Sequence, residues 1–279
     1  MPRVYAGRGI RKQAATCPCA TLMPGRRLVG DMLPESEKVI AETLGGLTAV
    51  GLAAGACAFA AMWPTSQIYG RTLVAPARPD EIALTFDDGP NPAWTPRLLE
   101  LLARNDIKAT FFLVGKFASE ESVLVRYIAN GGHAIGNHSW THPNLARTSA
   151  AKVRDELRNT KDALEQIAER PVTLFRPPYG GRRPFVLRTA REMGMTPVMW
   201  NAMTNDWEEP SAERIAERLA SSVEQAGRRR RAANIVLHDG GHRMLGANRG
   251  PSVKAAELLI GRFKATRRFV TVDEWAADA

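Results

Sequence analysis

Cysteine is scarce in this 279-residue chain: Cys17, Cys19 and Cys57 are the whole complement, and all precede residue 60. The rest of the chain therefore has neither a thiolate nucleophile nor a disulfide framework. Cys17 and Cys19 form a C-x-C with no second pair nearby, which is too little for a metal site. Aromatic residues make up 7%, and no stretch interleaves them with basic residues as a nucleic-acid groove would, so no nucleic-acid partner is expected. The formal net charge is +9, but residues 1–38 hold seven basic against three acidic residues, so the remainder is only mildly basic. The dense run Arg228–Arg231 reads as a solvated helix end or loop, with a polyanion contact as the other reading. No repeat of fixed period is present. With 44% hydrophobic and 24% charged residues, the composition is that of a globular domain.

Charge is also missing from Thr43 to Met62, twenty residues long enough to span a bilayer as a helix. Arg26, Arg27 and Lys38 precede it, which predicts a cytoplasmic N-terminus and a body on the far side. Ala58-Phe59-Ala60 offers a small-residue cleavage site. An uncleaved membrane anchor, a cleaved signal and a buried helix all remain open. The organisation expected is a disordered basic leader over 1–38, an anchor or signal segment over 39–63, a proline-containing linker over 64–79, and a catalytic domain over 80–279. Localisation follows: membrane-anchored with the domain outside the cytoplasm, or secreted after cleavage.

From residue 80 onward, short β-forming apolar runs alternate with segments of helical period. The runs lie near 82–86, 109–114, 133–137, 172–175, 196–200, 234–237 and 268–272; the helical segments near 94–104, 117–130, 149–169, 183–193, 211–226 and 252–264. Seven such alternations imply a mainly parallel α/β sheet, open or closed into a barrel.

Polar clusters follow the runs, where barrel enzymes place their active sites. Asp87-Asp88-Gly89-Pro90 puts two carboxylates side by side at a strand end, otherwise readable as an ordinary turn. In His138-Ser139-Trp140-Thr141-His142, a single helical turn would point both imidazoles to one side, able to share a cation. Arg176-Pro177-Pro178-Tyr179-Gly180-Gly181 is a stiff turn whose glycines admit a close backbone approach. Asp206-Trp207 and Leu237-His238-Asp239-Gly240 complete the series.

Five clusters in this order resemble the five motifs of the polysaccharide deacetylase (NodB-homology) family, carbohydrate esterase family 4, across residues 80–275. The resemblance implies a distorted, TIM-barrel-like (β/α)7 barrel, here behind an N-terminal hydrophobic helix. It implies a divalent metal, zinc first with cobalt, manganese or nickel as alternatives, on Asp88, His138 and His142. Asp87 would be the catalytic base, Arg176 its partner, Tyr179 the backbone donor to the oxyanion, and His238 the general acid tuned by Asp206. Trp207, Leu237 and Tyr179 would contact substrate.

The implied substrate is an N-acetylhexosamine glycan, peptidoglycan or chitin-type. Two rivals stand beside it: a hydrolase of the same fold acting on non-sugar amides, and a non-catalytic glycan-binding barrel. Met203 departs from the pattern, since many relatives place an Asp three residues before the fourth-motif Asp. His133 and His242 lie outside the motifs; His133 reads as structural, and His242, four after His238, as a loop histidine with the cleft wall as its other reading. Oligomeric state is left open by the sequence.

Overall fold

The computed structural model describes residues 34–278. Most of the basic leader, with Cys17 and Cys19, lies outside the described residues. The chain divides into two compact units, Met1–Leu52 and Ala53–Ala279. Helix α1 (Glu35–Met62) runs through the division, so Glu35–Lys38 form its first turn. Glu35 and Glu37 there suit the positive end of the helix dipole. The helix reaches a mean hydropathy of 1.7 and is long and apolar enough to cross a membrane by length and composition.

The second unit is a curled parallel sheet wrapped by helices. Its strands are β1 (Glu81–Gly89), β2 (Thr110–Leu113), β3 (Ala134–Asn137), β4 (Leu174–Phe175), β5 (Thr196–Pro197), β6 (Ala202–Met203), β7 (Ala233–His238) and β8 (Arg268–Val270). The order is β5-β4-β3-β2-β1-β7-β6, with β8 beside the first residues of β1. The expected distorted barrel is thus present, with eight strands rather than seven and with β5 and β6 as open edges. The additional strand, β6, is two residues long and, unlike the equally short β4 and β5, lies in no apolar run, being set between Asn201 and Thr204-Asn205.

The seam between those edges is closed by other groups. Leu73 bridges to Val198, and its N–H and C=O bond Pro197 O and Met199 N. The buried Asn234 amide donates to Val74 O and Met199 O at 2.9 and 2.8 Å.

The helices are α2 (Thr95–Arg104), α3 (Gly115–Glu120), α4 (Ser122–Asn130), α5 (Ala150–Ala168), α6 (Pro184–Glu192), α7 (Ala212–Arg228), α8 (Gly250–Phe263) and α9 (Val272–Ala277). Local chemistry sets their ends: Ser149 and Ser211 cap α5 and α7, and Thr271 with Glu274 forms a capping box on α9.

Strand alternation then sorts the side chains. Ile82, Leu84 and Phe86 of β1 face the helices, in one core with Ile235 and Leu237 of β7. Ala83 faces inward, where Phe112, Val198 and Trp275 plug the barrel floor. Trp275 Nε1 donates to Glu81 Oε2 at 2.6 Å. Above that floor, inward positions on β1 become polar, Thr85 and then Asp87, while β7 presents Asn234, Val236 and His238. Asp87 and His238 are register partners. The strand period therefore stacks the site at the C-terminal rim.

Candidate active site and metal centre

Asp87 and Asp88 both line one cleft of about 670 Å³. In an unbroken strand, neighbours would face opposite sides. Here the β1–β2 register shifts between Asp87 and Gly89, and Asp88 takes φ 70°. The bulge re-aims the second carboxylate. Seven non-glycine residues have positive φ among those described, and four of them, Asp88, Ser139, His142 and Tyr179, gather here. Left-handed backbone held in place by its surroundings is characteristic of working sites.

His138 and His142 do not sit on a helical turn. They lie in a loop whose reversals are Ser139 (φ 65°) and His142 (φ 58°). The buried Glu156 carboxylate pins that loop by accepting from Thr141 N and Thr141 Oγ1, both at 2.7 Å. Ser139 Oγ accepts from His142 N at 3.1 Å. The imidazoles still converge, with ring centroids 4.9 Å apart.

One ligand atom each from Asp88, His138 and His142 lies within 4.8 Å of the others, all three residues buried. His138 Nε2 and His142 Nε2 stand 3.5 and 3.0 Å from Asp88 Oδ1. Neither makes a well-aligned hydrogen bond to it, so this buried oxygen has no hydrogen-bond partner. His138 Nδ1–H is spoken for, donating to Arg176 O at 2.8 Å, which turns the Nε2 lone pair towards Asp88. Burial alone would raise the Asp88 pKa, but the imidazoles of His138, His142 and His242 hold it well below the ordinary value. Burial lowers His142 in turn. A carboxylate with two imidazoles, an orphaned oxygen and an open side is a donor set that fits a divalent cation.

Arg176, fully buried at the end of β4, donates from one nitrogen to Asp87 Oδ1 and Thr85 Oγ1, both at 2.7 Å. Its other terminal nitrogen reaches Asn234 Oδ1 at 3.3 Å, and its guanidinium carbon stacks 4.0 Å from the Phe112 ring centre. Across the cleft, Asp206 Oδ1 meets His238 Nδ1 at 2.8 Å. Asp206 Oδ2 accepts from His238 N at 2.9 Å and Ser252 Oγ at 2.6 Å. Burial works against the charged imidazole, but Asp206, then Asp88 and Asp87, outweigh it and push His238 up to about 9. Asp87, held by Arg176, and His238, held by Asp206, thus line the same cleft as the Asp88, His138 and His142 cluster.

The polysaccharide deacetylase profile matches residues 75–198. A peptidoglycan-N-acetylglucosamine deacetylase of Bacillus cereus is 34% identical over 205 residues, covering 73% of this chain and 71% of the relative. The chain belongs to the polysaccharide deacetylase family. A chitooligosaccharide deacetylase of Azorhizobium caulinodans is 37% identical over 160 residues, 57% of this chain and 73% of the relative. In fold, the crystal structure of the Bc1960 peptidoglycan N-acetylglucosamine deacetylase superposes with a TM-score of 0.67 at 33% identity, covering 73% of this chain and 91% of the other.

Among the family's motif positions, Trp207 stands edge-on to His238 with centroids 5.0 Å apart, and Tyr179 lines the cleft half exposed. Leu237 is a correction. Expected in the pocket wall, it points the other way, into the helix-facing core, as its register partner Phe86 does. The alternation that brings His238 to the cleft brings Val236, two residues earlier, with it. Met203 occupies the cleft edge on β6. His133 is buried far from the motifs, accepting from Ala109 N at 3.2 Å, with burial lowering it to about 4.

Sequence reasoning missed the supports. Thr85 and Asn234 hold Arg176, Glu156 holds the histidine loop and Ser252 holds Asp206, each buried and distant in sequence. A polar residue inside an apolar run, as at Thr85 or Asn234, was the available signal. His242 takes the second of its two readings and lines the cleft: its ring stacks on His142 at 4.4 Å and 19°.

Proposed function

We propose that this metal-dependent hydrolase removes N-acetyl groups from N-acetylhexosamine units of a glycan, peptidoglycan first and chitin-type oligomers second. The observation that carries the reading is the buried Asp88–His138–His142 cluster flanked by Asp87 and His238. A divalent cation on those three residues, zinc first with cobalt, manganese or nickel as alternatives, would polarise the acetyl carbonyl and acidify water beside it. Asp87, oriented by Arg176, takes a proton from the attacking water. The new C–O bond forms, and the backbone N–H of Tyr179 stabilises the oxyanion. His238, held protonated by Asp206, gives its proton to the nitrogen as the C–N bond breaks, leaving acetate and a free amine. Trp207 and Val236 wall the acetyl methyl.

Helix α1 supports a membrane attachment that leaves the catalytic domain outside the cytoplasm beyond residues 64–79, of which Leu73 and Val74 bond to the sheet rather than acting as a free linker; release after cleavage near Ala58-Phe59-Ala60 is the other form. The test is acetate release from peptidoglycan, chitin oligomers and small N-acetyl amides in parallel, with metal analysis. The expected result is one divalent ion per chain and chelator-sensitive release from a glycan. A chain without an ion, or acting on small amides alone, overturns the reading.

A further inference from the structure

The loop joining β7 to α8 carries a third imidazole that no family motif contains. Its backbone is fixed against the site: a Cβ on Gly240 would lie 2.0 Å from Asp88 O, and Arg249 Nε donates to Gly240 O at 2.6 Å. Two residues on, His242 Nδ1 lies 3.4 Å from Asp88 Oδ2, whereas His138 and His142 approach the other carboxylate oxygen, Oδ1. Its Nε2 lies 3.1 Å from the Tyr179 hydroxyl. One tautomer satisfies both contacts: the Tyr179 O–H donates to Nε2, and Nδ1–H donates to Asp88 Oδ2. His242 is not one of the residues whose ligand atoms are mutually close, so it touches the cation site through Asp88.

We propose that His242 is a positioning residue of this chain's metal centre: it fixes the free oxygen of Asp88, covers the face of His142, and ties the Tyr179 turn to the ligand set. The inference rests on the metal reading above. A carboxylate whose second oxygen is bonded presents the first in one orientation, and the loss of such a support lowers metal affinity by about 10–100-fold. The same ring fixes Tyr179, whose backbone serves the oxyanion in the proposed reaction, so kcat falls along with affinity. Only a flat ring with a donor at one end and an acceptor at the other meets all three neighbours.

The test uses the full chain, native and with His242→Ala, His242→Asn and His242→Gln, titrated with zinc against a competing chelator and with cobalt for its visible spectrum. His242→Ala is expected to lose about 10–100-fold in zinc affinity. His242→Asn, whose amide N–H replaces Nδ1–H, restores affinity but not kcat. All four forms keep the same cobalt coordination number. Native-like affinity and kcat in His242→Ala, or no difference between Ala and Asn, overturns the inference alone. A lower coordination number in His242→Ala also overturns it, since His242 would then be a ligand. A native chain that binds neither ion overturns both this and the metal reading.

Discussion

Replacing Asp206 by Asn keeps the shape of the residue facing His238 and removes its charge. In the native chain the imidazole, buried against Trp207, is raised from 6.5 to about 9. That difference corresponds to roughly 3 kcal/mol favouring the protonated form. The sign follows from linkage. A base whose folded pKa is raised lends stability that is fully present below the unfolded value and is lost as pH rises through the folded one. The native chain therefore loses this contribution between about 6.5 and about 9, and its protonated acid only as pH rises through about 9. With Asn at 206, burial remains and the main opposing charge is gone. The alkaline limb of kcat should fall by about two pH units or more, and activity at neutral pH with it. A cation at Asp88 offsets part of the carboxylate attraction, so both forms are compared loaded with the same ion. Initial rates of acetate release from about pH 5 to about pH 10 measure the limb, and proton NMR of the metal-free chain reads the His238 titration directly. A variant limb at the native position would refute the Asp206–His238 reasoning.

Asp87→Asn should lower kcat by about 10²–10⁴-fold with metal content unchanged, read by metal analysis beside initial rates; loss of the ion would mean that the two carboxylates exchange roles. Leu237→Ala should cost about 2–5 kcal/mol in urea unfolding with KM unchanged, because the side chain packs on the helices. Val236→Phe should instead raise KM, since that side chain faces the cleft; a stability loss with unchanged KM would reverse the assignment of the two faces.

The alternation of apolar runs and helical segments made most of the α/β framework legible, because β1 and α5 carry their periods over many residues. β6 was not legible: its two residues stand between Asn201 and Thr204-Asn205, without the apolar run that marks the equally short β4 and β5. The motif residues were readable from chemistry and order, but not their geometry. Adjacent carboxylates share a cleft only because β1 bulges at Asp88, and the histidine pair converges through left-handed loop residues rather than a helix turn. Leu237 was misplaced by following proximity in the motif instead of strand alternation. The supports, Asn234, Glu156 and Ser252, act across long sequence separations, which a single chain read linearly does not reveal.

The stretch around Leu73 and Val74 lies ahead of the first strand, yet it occupies the place where another strand would complete the ring. Arg182 likewise spends its guanidinium on the carbonyls of Trp63 and Ser66. A shortened version starting at β1 would bare Pro197 O and Met199 N beside β5 and leave that arginine only Gly180 O of its three acceptors, inviting chains to pair edge to edge. Cuts made before Trp63 spare both, so the useful soluble form begins at the foot of the apolar helix rather than at the first strand.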